Sequence, residues 1–117
     1  MERKNPNSSS LNVSESVIAS IANLTASEVY GVCEMTQAPL DIKTVLVRKD
    51  MPKSVRIEIK NEIAYIDLYV KLTYDAKIPE VASEIQRRVK EAVQNMTGMI
   101  VSRVNVHITD VEVPEKE

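Results

Sequence analysis

A chain of 117 residues with 44% hydrophobic and 27% charged side chains has the make-up of one soluble globular domain. It is long enough to bury about two-thirds of the surface its unfolded form exposes. The net charge of −2 gives no general pull toward nucleic acid or an anionic membrane, and no apolar run approaches the ~18–20 residues of a membrane span. One cysteine and one histidine exclude an internal disulfide and the usual Cys/His zinc cage, which fits a reducing cytoplasm.

Residues 1–12 are polar and read as a flexible tail, with a charge cluster but no apolar segment of a secretory signal. Ser14 then offers a helix N-cap, with Glu15 in the first turn complementing the helix dipole. A helix is predicted at about 15–27. Val17, Ile18, Ile21, Leu24 and Thr25 share one face, and Ala19, Ala22 and Ala26 raise helix propensity. The β-rich run from Val29 to Met35 follows, where Gly31 suggests a bulge or a close backbone approach. The pattern weakens between Thr36 and Lys53, although Thr44-Val45-Leu46-Val47 has the composition of a short strand.

Two alternating runs come next. Val55, Ile57 and Ile59 share one face against Arg56, Glu58 and Lys60. Ala64, Ile66, Leu68, Val70 and Leu72 share one against Tyr65, Asp67, Tyr69, Lys71 and Thr73. Taking Asn61-Glu62 as a two-residue turn pairs Ile59 with Ala64, Ile57 with Ile66 and Val55 with Leu68 on the apolar side. Arg56 then stands opposite Asp67. A one-residue slip would set apolar against polar throughout.

A helix over Pro79–Thr97 carries the longest amphipathic stripe, through Val81, Ala82, Ile85, Val89, Ala92, Val93 and Met96. Pro79 suits the first helical position and Gly98 the left-handed stop. Glu84 and Arg88 form an i, i+4 pair on its outer side. Ile100–Val111 is a final alternating strand, with Val104, Val106 and Ile108 inward and Arg103, Asn105 and His107 outward. Strand, helix and strand in one sheet imply a right-handed parallel crossover. The expected fold class is α+β: two layers, a mixed three- to four-stranded sheet with both helices on one face, containing a β-hairpin and a βαβ crossover. The expected domain spans 13–111, with 112–117 as a second tail.

The chain is poor in chemistry. No phosphate-cradling glycine loop, nucleophile elbow or metal-binding helix motif is present. Catalytic, cofactor-binding and metal residues are therefore expected to be none. Cys33 lies in an apolar β-like run and reads as a small buried hydrophobe, and Asp67 as the cross-strand partner of Arg56. The surface left for function is the helix-free side of the sheet, with Arg56, Tyr65, Tyr69, Arg103 and His107 as the candidate interaction face. A plain solvated face is the first reading of it and protein contact the second. Nucleic acid comes last, because Glu58 and Asp67 share the face.

Several strings carry a family resemblance. Ile66-Asp67-Leu68-Tyr69-Val70 is followed by Ile78-Pro79-Glu80-Val81-Ala82, then by Asn95-Met96-Thr97-Gly98 and Val104-Asn105-Val106-His107-Ile108. Together with Glu28-Val29-Tyr30-Gly31-Val32, they resemble the alkaline shock protein family of general stress proteins, over roughly 14–111. The resemblance implies a non-catalytic bacterial protein, mostly of Gram-positive organisms, acting in the envelope stress response. It implies a cytoplasmic location, self-association and protein partners, among them an integral membrane protein that anchors some members. It also implies an alternative role, regulating fatty-acid or acetyl-CoA carboxylase metabolism by binding an enzyme. The family has no catalytic residues to carry over.

Overall fold

The computed structural model describes residues 14–39 and 51–114. The expected strand at 44–47 and the tail at 1–12 lie outside the described residues. The elements in chain order are α1 (Glu15–Ser27), β1 (Val32–Met35), β2 (Val55–Lys60), β3 (Ile63–Leu72), α2 (Ile78–Thr97) and β4 (Ile100–Val111). Both helices cover one side of a mixed sheet, so the fold is the expected α+β class.

β3 is the strand around which the sheet is built. On one side it pairs in parallel with β4 along its whole length, from Ile63 beside Ile100 to Leu72 beside Val111. On the other side its edge is shared by two antiparallel strands. β2 takes residues 63–68 and β1 takes residues 70–72. Tyr69 is the handover, its N–H donating to the Ser54 carbonyl at 3.0 Å and its carbonyl accepting from the Thr36 N–H at 2.9 Å. Four strands thus fill three positions, and β3 has no free edge.

The hairpin between β2 and β3 has the register expected from its alternation, with Ile59 beside Ala64, Ile57 beside Ile66 and Val55 beside Leu68. Its turn places Asn61 at φ 51° and Glu62 at φ 66°. Positive φ at both central residues matches the right-handed twist of the flanking strands. β4 is longer than β3 and absorbs the difference in two bulges, at Ser102 and Thr109. The first lets Val101 and Val104 both point into the core although they are three residues apart.

The core lies between the sheet and the two helices. Val81, Ile85, Val89 and Val93 of the helix meet Ala64, Ile66, Leu68, Val70 and Leu72 of β3. Several expectations need correction here. α2 begins at Ile78, which makes Pro79 its second residue; Pro fits there too, because the N–H at that position has no intrahelical acceptor. Met96 is 69% exposed rather than buried. The left-handed turn at Gly98, φ 81°, brings Met99 back to close that end of the core instead. α1 has the expected Ser14 cap, whose Oγ accepts from the Val17 N–H. Its buried face, however, is Ile18, Ala19, Ala22 and Ala26. Val17 and Leu24 face outward, because α1 packs closely through its small residues, and larger side chains there would hold it off the sheet. Cys33 is exposed, being the extra residue of a bulge between Val32 and Glu34 that turns it out of the pleat.

Candidate functional site

The five candidate residues all stand on the side of the sheet that carries no helix. Alternation along β3 sends Tyr65, Asp67, Tyr69 and Lys71 to this side while their neighbours enter the core. Parallel register then sets Arg103 beside Tyr65, Asn105 beside Asp67 and His107 beside Tyr69. From β2, Arg56 stands beside Asp67 and Glu58 beside Tyr65.

At the middle of this face is a compact polar cluster. The rings of Tyr69 and His107 stack with centroids 4.5 Å apart and planes 12° from parallel. Asp67 Oδ1 accepts from Asn105 Nδ2 at 3.0 Å and from His107 Nε2 at 3.0 Å. A carboxylate offers only acceptors, so the imidazole carries a proton on Nε2. Asp67 therefore orients both β4 side chains, and its charge is satisfied within the sheet.

The expected Asp67–Arg56 pair does not form, although the two residues are in the expected register. Arg56 instead donates from its guanidinium to the Pro39 carbonyl, and Asp67 turns the other way, toward β4. The reason is geometric. A short carboxylate reaches Asn105 and His107 on the adjacent parallel strand, while the long guanidinium reaches over the segment that follows β1. Asn105 is the member of the cluster that sequence reasoning misses, although it shares the outward phase of His107 in the alternation.

Of the acids on this face, Asp67 is engaged as described, Glu58 pairs with Lys60 at 3.5 Å and Asp110 accepts from the Val111 N–H at 2.8 Å, while Glu34, in register beside Lys71, is exposed and has no partner among the described residues. Arg103 is exposed and has no ion-pair partner among the described residues, and Lys71, half-buried, has none either. Chemically the arrangement can hold an acidic or polar surface through Arg56 and Arg103, set on either side of Tyr65. His107 has its ring face on Tyr69 and its Nε2 on Asp67, and no described hydroxyl or thiol hydrogen-bonds to it. Among the described residues no cluster of three His, Cys, Asp or Glu could hold a metal ion. No described helix is long and apolar enough to cross a membrane.

α2 acts at a different place on β4. Gln94 Oε1 accepts from the Val101 N–H at 3.0 Å, and Gln86 Nε2 donates to the Val104 carbonyl at 2.9 Å. These two glutamines satisfy backbone groups of an edge strand that would otherwise invite a further strand.

The model of the alkaline shock protein 23 family, described as having a cell envelope-related function, matches residues 3–113. Among curated proteins, the chain is 28% identical over 120 residues to Uncharacterized protein YqhY of Bacillus subtilis (strain 168), covering 99% of this chain and 87% of that one. It is 30% identical over 106 residues to Uncharacterized protein YloU of the same organism, covering 88% of each. Among solved structures it is similar to variants of MamM-CTD. Two of these superpose with a TM-score of 0.52 at 13% and 14% identity, covering 83% of this chain and 99% and 98% of theirs. At that identity the likeness is one of fold.

Proposed function

The chain belongs to the alkaline shock protein family, with its cell envelope-related function, and on that premise we propose that it is a non-catalytic interaction protein of the cell-envelope stress response, working through the helix-free face of its sheet. It acts in the cytoplasm, as a scaffold that engages other proteins, including copies of itself and a membrane protein that recruits it. The observation that carries this reading is the charge arrangement of the face. The acids at its centre are engaged, Asp67 by Asn105 and His107 and Glu58 by Lys60, while Arg56 and Arg103 remain exposed on either side of Tyr65. Cations held apart from their own acids favour an acidic counter-surface and speed its approach.

The same geometry argues against a base-stacking role. Tyr69 is buried and stacked on His107, which leaves Tyr65 as the one aromatic free to stack on this face among the described residues. An enzymatic reading would need a nucleophile hydrogen-bonded to His107, and among the described residues its ring hydrogen-bonds to Asp67 alone. The test is crosslinking with mass spectrometry in the native cell, with the wild-type chain and an Arg56→Glu/Arg103→Glu variant. Crosslinks from Lys71 to a protein partner are expected, with recovery of that partner falling about fivefold or more in the variant. Unchanged recovery from a variant with an intact thermal melt would sink the proposal.

A further inference from the structure

A second surface lies at the end of the molecule where β3 finishes, away from the face just described. The turn between α1 and β1 is held by Glu28 N–H to the Thr25 carbonyl, Val29 N–H to Ala26 and Val32 N–H to Val29. It holds Tyr30 91% exposed. The Thr73 N–H donates to the Gly31 carbonyl at 2.9 Å, which brings Tyr30 and Tyr74 to the same end of the sheet. Tyr74 and Ile78 are exposed as well.

Between this turn and the start of α2 runs a groove of about 360 Å³, floored by Gly31, Ala76 and Val81 and walled by Tyr30. Glycine is required at its base: residue 31 has φ +103°, and a Cβ there would stand 2.7 Å from Val81 Cγ2. Asp75, Glu80 and Glu84 line the same groove against one cation, Lys77. Glu80 has no partner among the described residues, and Asp75 accepts only from the Thr73 hydroxyl at 3.0 Å.

We infer that this groove is a docking site for a basic segment of a partner protein that inserts an aliphatic side chain beside Tyr30. The apolar floor and exposed aromatic wall accept the anchor, and Glu80 and Asp75 take the flanking cations. The tight turn holds the Tyr30 backbone in place, so only the rotamers of its side chain have to be ordered at binding. An anionic ligand is disfavoured, because Asp75 and Glu80, neither paired with a cation, stand against the helix dipole and Lys77 at the start of α2. A second copy of this chain does not offer the Arg87–Arg88 pair of its second helix as the basic segment. Its basic helix cluster is already tied up, with Arg87 on Glu84 and Glu91 and Arg88 on Glu84.

The test uses the full chain and three fluorescein-labelled peptides: alternating Lys and Leu, alternating Glu and Leu, and alternating Lys and Ser. Fluorescence anisotropy should show the Lys–Leu peptide binding about tenfold tighter than either control. Tyr30→Ala and Glu80→Lys, both at exposed positions, should each weaken it about threefold or more, while Arg103→Glu on the open face changes nothing. Equal binding of all three peptides, or indifference to both groove variants, overturns the inference. So does loss of binding in Arg103→Glu, which would move the site to the open face. Sedimentation supplies a further check: a dimer dissolved by Glu80→Lys would make the occupant a second copy and overturn it as well.

Discussion

Gly31 joins backbone conformation, core packing and a surface groove in one residue. Its φ of +103° lies where an L side chain is strained, and its missing Cβ lets Val81 of α2 approach within a distance that any side chain would block. Gly31→Ala should therefore cost about 2–4 kcal/mol, combining left-handed strain with overpacking against Val81. Denaturant unfolding measures this, and adding Val81→Ala separates the two causes. If the contact dominates, the double variant is less destabilised than the sum of the single ones. At Asp67 the lesson is different. An acid in a strand centre stands out in the sequence, but its partner does not, because alternation says which face a side chain takes and not which neighbour it reaches.

The hairpin shows how far local pattern goes at the scale of an element. Its register follows from alternation alone, and the turn then has to place two ordinary residues at positive φ. Asn61 tolerates this conformation well; Glu62, at φ 66°, does not. Glu62→Gly should stabilise the fold by about 0.5–1 kcal/mol, seen as a rise of a few degrees in the thermal midpoint. α2 carries its own electrostatic device. Hydrogen bonds from Arg88 and then Arg87 hold the Glu84 carboxyl below the usual carboxylate range. A carboxylate so depressed binds fewer protons when folded than when unfolded. Its contribution is therefore complete above the unfolded value of about 4.3 and is lost as pH falls through the lower folded one. Acid unfolding of Glu84→Gln should lack that component, so the variant and wild type should converge in stability at the acid end. The effect is small, because the group lies at the surface.

The molecule as a whole separates its structural and interacting surfaces. β3 buries one face under the two helices and gives both edges to neighbouring strands, so neither its core side nor its backbone is open to a partner. Gln86 and Gln94 close part of the β4 edge in the same way. What remains is the open face, with Arg56, Tyr65 and Arg103, and the groove at the end of β3, with Tyr30 and Glu80. The two differ in sign of charge, so charge reversals at Arg103 and at Glu80 should impair different partners.

Sequence by itself determined the helices, three of the four strands, the hairpin register and the faces of β3 and β4. Those properties depend on periodicity and on local stops such as Ser14 and Gly98, and both are written in adjacent residues. It also placed Arg56, Tyr65, Tyr69, Arg103 and His107 on one side of the sheet. Only the tertiary structure decided that β1 and β2 share one edge of β3. It alone set Asp67 against β4 rather than β2, exposed Met96, Leu24 and Cys33, and joined Tyr30 to the start of α2. Each of these depends on which distant segments become neighbours. That is settled by the packing of the whole core, which no local period encodes.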